Sequence, residues 1–133
     1  MIDISQSLSR VMCILSAIIL IAAGGIHLLL VFDGTRGVLG EFFVLTAIAG
    51  SVPGVGMLAL RKRLLLLLLT SVLGLLFIAA SFFSLLLALT VGLFGIAAIW
   101  SLPLVPQTFV IEGIGVIVLA VTMALVVRAR RTA

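Results

Sequence analysis

Four stretches of this chain are too long and too apolar for the remainder of the chain to cover. A bilayer core of about 30 Å takes roughly 20 apolar residues in helical form, and residues 11–32, 39–60, 64–89 and 108–127 each supply such a run. Ser16 and His27 interrupt the first, Glu41 falls in the first turn of the second, and the third opens on six leucines, Leu64 to Leu69. Of the 133 residues, 65% are hydrophobic and 9% charged, against about half and one-quarter in a soluble domain. A small water-soluble fold leaves a large share of its surface exposed, so this excess must face lipid. The expected fold is all-α: a four-helix transmembrane bundle, up-down-up-down, forming one integral membrane domain over residues 1–133.

The punctuation between the runs agrees. Asp33-Gly34-Thr35-Arg36-Gly37 is turn-forming, and Arg61-Lys62-Arg63 stops the second run. From Thr90 to Gln107 the chain stays apolar but gains Gly92, Gly95, Trp100, Pro103 and Pro106. Glycine and proline loosen helices for backbone reasons, so residues 90–107 read as a frayed helix end and an interfacial segment, with Trp100 at headgroup depth. Arg128-Ala129-Arg130-Arg131 closes the fourth run. The first run is longer than the apolar core of a cleaved signal, and it resumes beyond Ala22-Ala23-Gly24, so it is kept as a helix.

Charge sets the orientation. With four spans, Arg10, Arg61, Lys62, Arg63, Arg128, Arg130 and Arg131 fall on one side and Arg36 on the other. Cytoplasmic loops carry the excess of Lys and Arg, which predicts a multi-pass protein of the cell membrane with both termini and the Arg61–Arg63 loop in the cytoplasm. The net charge of +4 does not imply nucleic acid, because the basic residues sit at the ends of apolar runs and form no stripe along a groove. Cys13 has no second cysteine to pair with and reads as a small buried hydrophobe.

In lipid, helices associate through close packing of small residues and through polar contacts. Gly50 and Gly54 make such a pair in the second run, with Pro53 expected to kink it. Ala80, Ser84 and Ala88 form a stripe in the third. Ala23 and Gly24 share the face of His27 in the first. The leucine run offers bulk without pattern and is expected to face lipid.

Most of the unusual polar residues lie toward the non-cytoplasmic side. His27 and Glu112 each sit about five residues inside the outer end of a helix, ~7–8 Å deep at the helical rise. Glu41, Asp33 and Arg36 lie above them. Ionisable groups at membrane depth face a bundle interior and pair together, so His27 and Glu112 are expected to share a hydrogen bond. Glu41 near a helix N-terminus is favoured by the macrodipole, and Asp33 with Arg36 reads as a solvated turn.

Several roles stay open for the His27–Glu112 pair: a structural clasp, a site that handles a proton or ligand, or an axial haem ligand at His27 with a second ligand from another subunit. A metal site from His27, Glu41 and Glu112 has suitable donors but no spacing signature. No phosphate loop, nucleophile elbow or zinc-protease motif occurs, so no catalytic residue, metal or cofactor is expected.

Three stretches carry a family likeness. His27-Leu28-Leu29-Leu30 before Asp33-Gly34-Thr35-Arg36, then Phe43-Val44-Leu45-Thr46-Ala47, and Thr90-Val91-Gly92-Leu93-Phe94-Gly95 ahead of Ile111-Glu112, resemble an uncharacterised family of small four-helix integral membrane proteins of actinobacterial type. The likeness spans roughly residues 20–120. It implies the same four-helix fold and brings no activity with it. The family pattern continues Gly-Phe-Arg-Glu where this chain has Gly95-Ile96-Ala97-Ala98. A broader likeness to DoxX-like proteins is one of architecture only.

These readings lead to a non-enzymatic small integral membrane protein, an accessory or assembly subunit that packs against other membrane subunits or copies of itself. One alternative is a transport or proton-relay component using His27 and Glu112. Another is a redox subunit associated with haem or quinone.

Overall fold

A computed structural model describes residues 4–34, 36–93, 95, 100–101 and 104–132. Four helices account for nearly all of them: α1 (Ile4–Phe32), α2 (Gly37–Ala59), α3 (Leu64–Thr90) and α4 (Val105–Thr132). Each is long and apolar enough to cross a membrane. They form an all-α bundle in which each helix packs on the next in chain order and α4 returns to α1, while α1 and α3 barely meet across the diagonal.

The helices overrun the apolar stretches where no breaker stops them. α1 begins at Ile4, ahead of the apolar run, because neither glycine nor proline lies between there and Arg10. α4 continues through Arg128-Ala129-Arg130-Arg131 to Thr132. Alanine and arginine are good helix formers, and Arg130 and Arg131 in the last turn complement the negative end of the helix. The same helix starts at Val105, earlier than the expected 108, with Pro106 in its first turn, where a missing N–H costs no hydrogen bond. The interfacial segment is correspondingly shorter than the predicted 90–107. Thr35, Phe94, Ile96 to Ala98 and Pro103 lie outside the described residues. Trp100 is exposed and sets its ring against Phe109, with centroids 5.0 Å apart.

Packing between α1 and α2 uses the glycines singled out in the sequence. A Cβ at Gly50 would lie 2.9 Å from the Leu20 carbonyl oxygen, and one at Gly54 would lie 2.8 Å from Ile21 Cγ1. On the α1 side, a Cβ at Gly24 would come within 2.8 Å of the Ala47 carbonyl oxygen. Bare backbone therefore meets backbone along this seam, which is how small residues bring membrane helices close. α2 remains one helix through Pro53, which is buried.

The α3 expectation was mistaken. Ala80 and Ser84 point out of the bundle, and the buried stripe runs through Leu67, Ser71, Gly74 and Ile78 instead. Gly74 sets this register, since Leu20 and Leu119 occupy the space that a Cβ there would need. The leucine run is also not wholly lipid-facing: Leu67 is 4% exposed and belongs to the core.

Inside the bundle, polar and apolar residues alternate in layers. Ser16 and Thr122 meet at 2.8 Å, and Thr122 donates to the Val118 carbonyl, which leaves Ser16 as donor to Thr122. Cys13 is buried at this level as an apolar-sized side chain one turn before Ala17. Leu20, Ile78 and Leu119 come next, all fully buried. Beyond them, toward the α1–α2 connection, lie His27, Ser81 and Glu112.

Candidate functional site

Helical periodicity explains why these side chains meet. On α1, Ser16, Leu20, Ala23 and His27 recur at three- and four-residue intervals and line one face. On α4 the same holds for Thr108, Glu112, Gly115, Leu119 and Thr122, all of them buried. Because α1 and α4 pack side by side in opposite directions, Ser16 opposite Thr122 puts His27 opposite Glu112.

The His27 ring is fixed by two contacts. Its Nδ1 lies 2.8 Å from the Ala23 carbonyl oxygen, which can only accept, so Nδ1 carries the proton and donates. Phe43 of α2 stands edge-on to the ring, with centroids 5.4 Å apart. In the neutral ring Nε2 is then a free lone pair. It faces Glu112 Oε1 at 4.0 Å. That separation exceeds hydrogen-bond reach, so the expected direct hydrogen bond is not made. The two groups face one another across a gap.

Glu112 is 0% exposed. Ser81 of α3 donates its hydroxyl to Oε1. Oε2 is buried with no hydrogen-bond partner. One turn earlier, Thr108 satisfies its own hydroxyl on the Leu104 carbonyl at 2.6 Å and offers Glu112 nothing. The site is thus rich in acceptors and short of donors. A neutral imidazole nitrogen and a carboxylate separated by 4.0 Å can be bridged by a single water or N–H group, through which a proton can pass between them.

Other candidates do not join this site. Glu41 is exposed and is the fifth residue of α2, just past its first turn. Asp33 and Arg36 are exposed in the connection between α1 and α2. No group of three or more His, Cys, Asp and Glu gathers among the described residues, so His27, Glu41 and Glu112 make no metal cage. The haem reading does not fit this arrangement either: the Nε2 lone pair looks directly onto Glu112, with no room for an iron macrocycle in 4.0 Å. Arg61, Lys62 and Arg63 are exposed at the α2–α3 turn, and Arg128, Arg130 and Arg131 extend from the final turns of α4.

Ser81 was not recognised from sequence. It lies seven residues after Gly74 and three after Ile78, on the continuation of the stripe that packs inward. No protein-family model, curated protein or solved structure matches the chain.

Proposed function

We propose that this protein is a small, non-enzymatic integral membrane protein that acts as a transport or proton-relay component, with Glu112 as the group that takes up and releases a proton and His27 as its partner. The observation that carries the reading is Glu112 Oε2, buried and, among the described residues, without a hydrogen-bond partner. Leaving a buried charged group without partners is costly, and ionisable residues inside a membrane are functional by default. A purely structural clasp would have satisfied both oxygens. The titratable groups facing the site are His27 from α1 and Glu112 from α4; α3 contributes Ser81 and α2 the ring of Phe43.

Proteoliposomes with a trapped pH-sensitive dye test this directly. Under an imposed pH gradient the wild-type protein acidifies the lumen, and Glu112→Gln, which keeps an oxygen for Ser81 but holds no exchangeable carboxyl proton, brings the rate down to that of empty vesicles. Equal rates for wild type and variant would remove the reading.

The proposal includes the orientation. Seven basic residues against one favour cytoplasmic termini and a cytoplasmic Arg61–Arg63 turn in the cell membrane. Single cysteines at positions 62 and 130, in a Cys13→Ser background, are expected to be labelled from the same side, and one at position 36 from the other. Labelling of 62 and 130 from opposite sides would refute it. Membership of the actinobacterial four-helix family remains part of the same proposal.

A second reading, an accessory or assembly subunit, rests on α3. Only 11% of its most apolar window is buried within the bundle, against 39% for α1 and 33% for α4. Beside it, an open groove of about 470 Å³ between α3 and α4 is lined by Phe82, Phe83, Phe109, Gly113 and Ile117, among others. Co-purification with a larger complex in mild detergent is the expected result; an abundant partner-free monomer argues against it.

A further inference from the structure

We infer that the Ser16–Thr122 hydroxyl pair is a second station on the path served by Glu112, that the Leu20–Ile78–Leu119 layer is the gate between them, and that the cargo is the proton alone. This rests on the function proposed above and adds the route and its selectivity.

The hydroxyl pair is a second buried place where polar side chains of α1 and α4 meet. Ser16 is 0% exposed and Thr122 1%, at the level of Met12, whose carbonyl lies 3.3 Å from the Thr122 hydroxyl. Along the helices, His27 lies eleven positions after Ser16 and Thr122 ten after Glu112, which is ~15–17 Å at about 1.5 Å per residue. Side chains shorten the interval, and about four or five waters at ~2.8 Å spacing would span it.

What fills the interval is hydrocarbon. Leu20, Ile78 and Leu119 are fully buried and face glycines: a Cβ at Gly74 would lie 2.7 Å from Leu20 Cδ1 and 3.3 Å from Leu119 Cδ2, and one at Gly115 3.0 Å from Ile78 Cγ1. The plug therefore consists of side-chain ends resting against bare backbone, whereas backbone meets backbone in the α1–α2 seam. Side-chain ends move by changing rotamer, on a faster timescale than helices separate. Hydrophobic constrictions of this kind gate by excluding and admitting water. A transient file of waters carries protons by exchange: the Glu112 proton passes to the first water, each water passes one on, the Ser16 hydroxyl accepts one while handing its own to Thr122, and Thr122 releases its proton to water on the side of the Arg61–Arg63 turn. Each hop breaks one O–H bond and forms another, and no net charge other than the proton moves. A sodium or potassium ion would need several oxygen ligands through a layer that offers none.

The assay is proton flux in proteoliposomes, with parallel vesicles reporting Na⁺ and K⁺. Leu119→Ala is expected to raise proton flux about tenfold, which asks only ~1.4 kcal/mol off the barrier, and to leave Na⁺ and K⁺ flux at the empty-vesicle level. Adding Glu112→Gln to Leu119→Ala should abolish the gain. Thr122→Val, isosteric but without the hydroxyl, should lower flux severalfold, and Thr122→Ser should restore it. If Leu119→Ala or Thr122→Val leaves flux unchanged while Glu112→Gln abolishes it, the gate and inner station are wrong and the proposed function stands. A Leu119→Ala leak that persists without Glu112, or that passes K⁺, overturns the inference as well. If wild type conducts no better than empty vesicles, or Glu112→Gln conducts as wild type does, both readings fall together.

Discussion

Glu112→Leu is expected to stabilise the folded bundle while silencing it. The substitution removes a carboxyl group that is wholly buried, with one oxygen held by Ser81 and the other by nothing. Replacing buried ionic groups with well-packed apolar ones of similar size is often stabilising, by ~1–4 kcal/mol. Ser81 loses its acceptor, but a helical serine can turn its hydroxyl to the carbonyl four residues back. Ser71 already does so, donating to the Leu67 carbonyl at 2.7 Å. The net expectation is a gain of ~1–2 kcal/mol, read as a rise of several degrees in the unfolding midpoint in detergent, together with proton flux no greater than that of empty vesicles. A clasp that existed to hold α1, α3 and α4 together would behave in the opposite way, and a lower midpoint for Glu112→Leu would establish that role instead. Functional groups commonly reduce the stability of the fold that carries them, and this substitution measures whether Glu112 is one of them.

Two adjacent glycines are expected to respond with opposite signs. Gly24→Ala forces a Cβ to within 2.8 Å of the Ala47 carbonyl oxygen and 2.9 Å of Ser51 Oγ. The carbonyl is backbone and cannot step aside, so α1 and α2 must part, at a cost of ~1–3 kcal/mol for overpacking. Gly25→Ala meets nothing within 4 Å. There the only change is the helical preference for alanine over glycine, worth about 0.5–1 kcal/mol in favour of the fold. Thermal unfolding of both variants in the same detergent checks the pair. Equal effects at the two positions would mean that α1 and α2 do not meet at Gly24.

The spans were legible because hydropathy over about 20 residues is a sum to which every side chain contributes. The helix ends were not, because Arg128 to Arg131 are polar yet helix-favouring, and a hydropathy run stops where a helix need not. The pairing of His27 with Glu112 could be anticipated from their equal depth at a fixed helical rise. Their 4.0 Å separation could not, since it depends on how closely α1 approaches α4, and Ile19 against Gly115 helps to set that. Ser81 was hidden for a related reason. In a helix apolar on every side, nothing in the composition marks the inward face. Ala80, Ser84 and Ala88 gave a small-residue signal as good as any, on what proved to be largely the outer face. Gly74 would have broken the tie, because a glycine filled by leucines from two neighbours must look inward. α2 starts at Gly37, two residues before the expected position 39, which leaves the Glu41 carboxylate just beyond the first turn.

The chain is divided by the Arg61–Arg63 turn into two hairpins, α1 with α2 and α3 with α4. His27 and its Phe43 neighbour belong to the first, Ser81 and Glu112 to the second. Neither hairpin contains a complete acceptor set, and Ser16 and Thr122 are split in the same way. A polypeptide severed at that turn would therefore leave His27 and Ser16 on one fragment and Glu112, Ser81 and Thr122 on the other, and the facing of His27 on Glu112 and of Ser16 on Thr122 would exist only as a property of their reunion.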